Sequence, residues 1–338
     1  METIHDLNII TLQENSAEQA YAFNPRSFDE YLGQAALKEK LAIYTKAAKM
    51  RGEALDHLLL FGPPGLGKTT LATIMAHEMG VGIKMCSGPM MERTGDLVAL
   101  LSSLEPRDIF FIDEIHRMPT NVEEVLYSAM EHFRVDVIIG QGAGARSVSL
   151  PIHPFTLIGA TTKSGMISAP LRSRFGITER FDFYADEELR DIVMQNARFL
   201  ELAITPEAAL LIASSSRGTP RIAKRILRRV RDFAQVHNCA ADEETTLKAL
   251  EFLGINTDGL TKVDTLILTI MVEKFNGGPV GLETLASMIG EDADTIETVY
   301  EPFLMRKGLL ERTPRGRQIP HKQLPILAKQ LLGQGSLF

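Results

Sequence analysis

The segment His57-Leu58-Leu59-Leu60-Phe61-Gly62-Pro63-Pro64-Gly65-Leu66-Gly67-Lys68-Thr69-Thr70 decides how this chain is read. Leu58 to Phe61 is a short, wholly apolar run, the composition of a strand buried on both faces of a parallel sheet. Gly65 and Gly67 allow the backbone to curl until successive N–H groups converge, which makes a cradle for phosphate oxygens. Thr69 to Met79 has helical composition and stops at Gly80, so the positive end of a helix faces the same cradle. Lys68 is placed to reach β- and γ-phosphates, Thr69 to offer its hydroxyl to Mg²⁺, and Thr70 to donate near the α-phosphate.

A second apolar run, Ile109 to Ile112, ends in Asp113-Glu114. Asp113 is expected to hold Mg²⁺ through its water shell and Glu114 to polarise an attacking water. Phe155 to Ala160 is a third buried strand, and Thr161 at its end is expected to contact the γ-phosphate or that water. Strands alternating with helical stretches, notably Asn121 to His132, imply right-handed crossovers and a parallel α/β sheet whose ligand sits at the carboxyl ends of the strands. Nucleoside-triphosphate hydrolysis is therefore the leading expectation. It also needs positive charge at the transition state beyond Lys68, and Arg172, Arg174 and Arg221 are the candidates.

Outward from this core the pattern changes. Val135 to Leu150 holds two β-prone runs around Gly140-Gln141-Gly142-Ala143-Gly144, either a hairpin inside a sheet or an exposed apolar tip for docking. Asp186 to Gly254 is almost wholly helical, with Ile222, Ile226 and Val230 forming an apolar stripe beneath a run of arginines. The extra arginines between Lys224 and Arg231 are read as structural, pairing with neighbouring subunits or domains. Gly254 to Gly259 reads as an exit linker. Helices are then expected at Val263 to Phe275, Leu282 to Ile289 and Thr295 to Met305, followed by a short strand at Gly308-Leu309-Leu310 and the basic turn Arg312-Thr313-Pro314-Arg315-Gly316-Arg317. That order describes a winged helix in which Arg312, Arg315 and Arg317 grip DNA phosphates. Residues 330–338 are expected to be a loose tail and residues 1–20 a flexible arm.

The chain of 338 residues carries a net charge of −7, which argues against a surface that is basic throughout but not against local DNA-binding patches. No stretch of eighteen uninterrupted apolar residues exists, and the acidic N-terminus lacks a secretory pattern. Cys86 and Cys239 stand far apart in no metal-ligand spacing, so reduced thiols and a cytoplasmic location are expected, with Cys86 in the core.

Taken together, the phosphate loop, the segment Phe111-Ile112-Asp113-Glu114-Ile115-His116-Arg117, Leu171-Arg172-Ser173-Arg174-Phe175, Arg217-Gly218-Thr219-Pro220-Arg221 and the basic turn resemble the AAA+ ATPases, and within them the bacterial motors of Holliday-junction branch migration. The resemblance runs in one order from about Asn24 to Arg317. It implies a large ATPase domain over residues 1–182, a helical lid over 183–255 and a winged-helix domain over 256–338. It implies ATP and Mg²⁺ as ligands, Arg174 as a finger reaching a neighbouring subunit's site, and Arg221 as a γ-phosphate sensor in its own. Tyr184 and Glu131-His132-Phe133 would lie near the nucleotide. The hairpin 135–150 would grip the junction-binding protein RuvA, with RuvC an indirect partner, and the working form would be a homo-hexameric ring around duplex DNA, acting in recombination, repair and the SOS response. The departure is Asn24 before Pro25, where the family usually has an arginine; Phe23 and Asn24 are left to line the adenine pocket.

Two other readings keep parts of this pattern. One is a clamp-loader or initiator-like switch ATPase, separated from a motor by whether a four-way junction moves with ATP. The other is a nucleotide-regulated DNA-binding module with little turnover, against which Glu114 and Arg174 argue.

Overall fold

The computed structural model describes residues 23–139 and 146–332, and the chain divides after Tyr184 into two compact units. The expected arm at residues 1–20, the hairpin tip at 140–145 and residues 333–338 lie outside the described residues.

The first unit is built on helices and strands that follow from local composition. The helix Ala35–Arg51 ends on a left-handed Gly52 and leads to β1 (Leu58–Phe61). The helix Lys68–Met79 ends on a left-handed Gly80, whose N–H returns to the carbonyls of Ala76 and His77. Then come β2 (Ile83–Ser87), the helix Thr94–Ser102, β3 (Ile109–Asp113) and the helix Thr120–His132. A hairpin of β4 (Arg134–Ile139) and β5 (Arg146–Pro151) precedes β6 (Thr156–Thr161), and β7 (Ile177–Arg180) closes the sheet. The five-stranded sheet has the order β2-β3-β6-β1-β7 with every pairing parallel. Its three central strands are the three apolar runs of the sequence, and their buried residues form the core together with Phe155, Leu126 and Leu97. Burial on both faces is why those runs contain no alternation. The edge strands β2 and β7 escape such a reading because they are only half-buried and carry Lys84, Glu179 and Arg180. Cys86 is buried in this core, and burial pushes its thiol up to about 12.

The hairpin β4–β5 is not part of the main sheet. Among the described residues its strands pair only with each other, from Arg134↔Pro151 to Ile139↔Arg146, so the reading as a hairpin inside a sheet is set aside. Val135 is fully buried at its base while Val148 and Leu150 are exposed.

The second unit begins with four helices, Asp186–Phe199, Pro206–Ser214, Pro220–Val236 and Glu243–Phe252. Thr205 and Asp242 cap the second and fourth by accepting from backbone N–H groups. In the third, Ala223, Ile226, Leu227, Val230 and Ala234 are buried, the stripe expected beneath the arginines, with Ile222 half-buried at its margin. A winged helix follows: Lys262–Phe275, Leu282–Ile289, then a continuous helical stretch of Ala293–Thr295, a π-helical turn Ile296–Tyr300 and Glu301–Arg306. The wing is β8 (Glu311–Thr313) with β9 (Gly316–Gln318), and Val280 bridges to Arg317 as a third short partner. Gly316 has φ 132, and a β-carbon there would strike the carbonyl of Val280, so the turn requires glycine.

Two expectations fail here. Gly308-Leu309-Leu310 is not a strand; Leu310 drops into the core and the strand starts at Glu311. The expected loose tail starts too early, because Gln330 to Leu332 complete a helix, Leu324–Leu332, whose Leu327 packs on Lys262–Phe275. No described helix is long and apolar enough to cross a membrane.

Candidate functional site

At the carboxyl ends of β1, β3 and β6 the chemistry-bearing residues converge because those strands are neighbours. The N–H of Gly62, leaving β1, donates to the carbonyl of Thr161 at the end of β6 (3.2 Å). Gly65 and Gly67 take φ 76 and 98, and Gly67 lies so close to the Tyr31 hydroxyl that a β-carbon would crowd it. The helix Lys68–Met79 starts directly from this loop and turns the N–H groups of its first turn toward it. Lys68 is only 6% exposed; its Nζ donates to the carbonyls of Gly62 and Pro63, both at 2.9 Å. Thr69 and Thr70 are half-buried beside it.

Asp113 closes β3, and its Oδ1 accepts from the N–H of Glu114 (2.9 Å). Glu114 itself has φ 46, which turns its side chain across to β6. There its carboxylate accepts from the Thr162 hydroxyl (3.1 Å) and lies 3.1 Å from His116 Nδ1. The same Nδ1 lies 2.9 Å from the fully buried Thr161 hydroxyl, which also accepts from the N–H of Lys163 (3.0 Å). Burial pulls the His116 imidazole below its usual range, opposed by the neighbouring Glu114 charge. Glu114 is thus held by two partners, and any water-activating task requires it to leave them.

The loop is also held from outside. Tyr184, the last residue of the first unit, donates to the carbonyl of Leu66 (3.2 Å) and shares a hydrogen bond with the Tyr31 hydroxyl (2.8 Å). Phe23 is half-buried and Asn24 exposed at the start of the segment that carries Tyr31.

Arg174 and Glu131-His132-Phe133 are elsewhere. The guanidinium of Arg174 meets Glu131 Oε1 (3.1 Å) and the Pro170 carbonyl (2.7 Å), and stacks over the Tyr127 ring at 4.5 Å. Arg174 precedes Ile177, which pairs with Leu58 at the start of β1. Glu131 ends a helix whose Met130 carbonyl meets His57, the residue before β1. Phe133 packs its ring against His57 and Phe155, both ahead of their strands. All of these residues lie at the amino-terminal edge of the sheet, while the phosphate loop is at the carboxyl edge. The length of β1, about 10 Å, and the buried central strands of the sheet stand between them. Within one chain, therefore, Arg174 and the segment 131–133 do not join the phosphate loop, and Phe133 is a packing residue.

In the second unit, Arg221 is exposed in the first turn of Pro220–Val236. In the wing, Arg312 and Arg315 are exposed and Arg317 is half-buried, and two of the three are ion-paired. Arg312 and Arg317 face each other across β8–β9, and both reach Glu301, which is 1% exposed: Arg312 Nε donates to Oε2 (2.7 Å) and Arg317 Nε to Oε1 (2.5 Å). Glu297 adds a second carboxylate, 3.2 Å from Arg312 and 3.7 Å from Arg317. Arg315, exposed in the turn itself, has no side-chain ion pair among the described residues. Arg229 and Arg231 pair with Asp232 in their own helix. Sequence reasoning missed Tyr31, Thr162 and Glu301. Glu301 carried a weak signal as an acid beside Phe303 and Leu304 in a helix, four residues after Glu297, whereas a tyrosine and a threonine carry none.

Comparisons with known proteins agree along the chain. Three family models match in succession: the Holliday junction DNA helicase RuvB P-loop domain at residues 23–181, the RuvB AAA lid domain at 184–256 and the RuvB C-terminal winged helix domain at 257–328. Among solved structures, the Thermotoga maritima RuvB Holliday junction branch migration motor is 47% identical, with 93% of this chain and 99% of that chain covered and a TM-score of 0.80. Two single-residue mutants of the same Thermotoga maritima protein, also 47% identical over 93% of this chain, give TM-scores of 0.81 and 0.82 and are covered over 99% and 100% of their length.

Proposed function

Because this chain belongs to the RuvB family, the P-loop ATPases that drive Holliday-junction branch migration, we propose that it hydrolyses ATP between copies of itself in a ring and moves duplex DNA with the cycle. The observation that carries this reading is the separation of Lys68 and Arg174 to opposite edges of one sheet. A positive charge at the amino-terminal edge serves no phosphate in its own chain, but it meets one if a second copy presents its carboxyl edge there. Glu131 and His132 accompany Arg174 and would face the same neighbouring nucleotide.

In the chain's own site, the glycine loop, the helix start and Lys68 fit a polyphosphate, because converging backbone N–H groups and a buried ammonium that donates to the Gly62 and Pro63 carbonyls are donors that phosphate oxygens can accept from. Thr69 and Asp113 are the residues that would hold Mg²⁺, which when bound neutralises charge on the phosphates. Glu114 would orient the attacking water after leaving Thr162 and His116, with Thr161 beside it. Phe23, Asn24 and Tyr184 would border the nucleoside, and Arg221 would reach the γ-phosphate from the lid. Arg315 is the wing cation best placed for a DNA phosphate, with Arg312 and Arg317 shaping the turn. The hairpin β4–β5 would dock RuvA through Val148 and Leu150, with RuvC reached indirectly and the hexamer working in the cytoplasm.

The experiment is subunit mixing. Lys68→Ala and Arg174→Ala are each expected to abolish hydrolysis alone, while mixed rings contain sites that pair an intact Lys68 with a neighbour's intact Arg174. Recovery of ATP hydrolysis on mixing supports the shared site. Rings that form on mixing but stay inactive would refute it. Movement of a synthetic four-way junction with ATP and RuvA tests the motor, and hydrolysis without movement would favour a switch ATPase.

A further inference from the structure

Arg217 precedes the lid motif Gly218-Thr219-Pro220-Arg221 and is 8% exposed, unusual for an arginine. Its guanidinium does not turn to solvent or to its own helices. It pairs with Asp264, which is fully buried, and donates to the Thr261 hydroxyl (3.1 Å) and the Val299 carbonyl (3.3 Å). It also lies over the rings of Tyr300 and Phe303, at 5.4 and 4.9 Å. Every one of these partners belongs to the winged helix. Asp264 is at the same time the acid of the capping box that starts Lys262–Phe275, so one carboxylate ends a helix and anchors the lid. Next to it, Gly218 lies flush against the Arg306 guanidinium, where a β-carbon would collide, and its φ is 71.

These contacts form a line. Arg306 and Phe303, which touch the lid, lie on the same helix as Glu301, and Glu301 is the buried acid that both wing arginines grip. From Arg221 to Arg315 the path runs along the backbone to Arg217, through its ion pair with Asp264 and its stacking on Phe303, along one helix to Glu301 and across to the wing arginines. We propose that Arg217 is a positioning residue that fuses lid and winged helix into one rigid arm, so that a displacement of Arg221 reaches the wing. This rests on the reading that Arg221 answers to nucleotide and the wing to DNA. A buried pair whose only role was stability is a poor use of desolvation, since apolar residues in its place are commonly neutral or better; a register or coupling role is the better-attested one.

The test follows amide hydrogen exchange in the wing, residues 311–318, with and without a non-hydrolysable ATP analogue, in the full-length oligomer. In the parent, analogue binding is expected to alter wing exchange. In Arg217→Gln, analogue affinity should stay within about twofold while the wing response disappears, and ATP-driven junction movement should fall about tenfold with hydrolysis retained. Arg306→Gln removes an exposed side chain and should give the same split; it decides the matter if Arg217→Gln does not fold. A wing response that survives in both variants, or hydrolysis and movement that fall in proportion, overturns the inference. So does a parent that binds the analogue with no change in the wing. Failure of the parent to bind the analogue would instead sink the nucleotide-site reading on which the inference rests.

Discussion

Lys68 and the wing arginines are both cations that the sequence singles out for phosphate, and the structure treats them in opposite ways. Lys68 is buried, yet its described partners are two backbone carbonyls. Arg312 and Arg317 are more open, yet they grip a buried carboxylate. A neutral acceptor gives up a lysine to a phosphate at little cost, because the carbonyl can turn to water or another donor. A buried carboxylate cannot give up its cations without leaving an unpaired charge in a low-dielectric interior. On the proposed reading, the first region can exchange carbonyl acceptors for a ligand's, whereas the second holds a carboxylate that the fold has buried. A basic residue near a glycine turn is evidence for phosphate binding only when its existing partner is replaceable.

The largest effect expected from this contrast is on stability. The double variant Arg312→Ala/Arg317→Ala strands Glu301 and should cost the winged helix about 3–5 kcal/mol, read by chemical unfolding. Loss of DNA affinity with unchanged stability would break the comparison. Next is Lys68→Ala, which should lower ATP turnover by a factor of about 10²–10³ with a smaller change in unfolding midpoint than the wing variant, since it strands no buried carboxylate of the kind Glu301 presents. A large loss of stability there would mean that the lysine is structural after all. A smaller effect is expected for Arg315→Ala: weaker DNA binding at every sequence and a slope of log K against log salt shallower by about one, with no change in folding. An unaltered slope would return the phosphate contact to Arg312 or Arg317.

The mildest expectation concerns pH and lies at the amino-terminal edge. His57 Nδ1 accepts from the N–H of Leu157 (2.9 Å), so Nε2 carries the proton and donates to the Met130 carbonyl (3.1 Å). Burial, partly opposed by the Met130 carbonyl and Asp56, holds this imidazole below its usual 6.5. The unfolded chain therefore takes up a proton near pH 6.5 that the folded chain resists. The stabilising contribution is complete above that pH and is lost as pH falls below it, by up to about 1.4 kcal/mol per unit. His57→Gln keeps a donor and an acceptor without titrating and should flatten that part of the profile; an unchanged slope would assign it to other groups.

Legibility followed burial. The three central strands and the helices between them could be read because a strand buried on both faces has no polar residues to confuse it and a helix end tends to carry a glycine or a capping side chain. Strands β2 and β7 could not, since an edge strand mixes charge with apolar residues in the manner of a loop. The helix Leu324–Leu332 was partly missed because its only buried residue is Leu327, too little for a periodic signal. At the site, the glycine loop with Lys68 and the pair Asp113-Glu114 were visible because backbone curvature and phosphate charge demand those residue types at that spacing. Thr162 and Tyr31 were not, because nearly any position can place a hydroxyl.

Sequence alone determined the family and the parallel sheet and proposed the residues for a phosphate, since these depend on side-chain chemistry and on short-range backbone geometry. Only the tertiary structure decided which cations are available and which edge of the sheet each occupies. Glu301 and Arg312, or Arg174 and Lys68, are assigned by how distant segments cross, and electrostatic energy depends on the distance and burial that crossing creates.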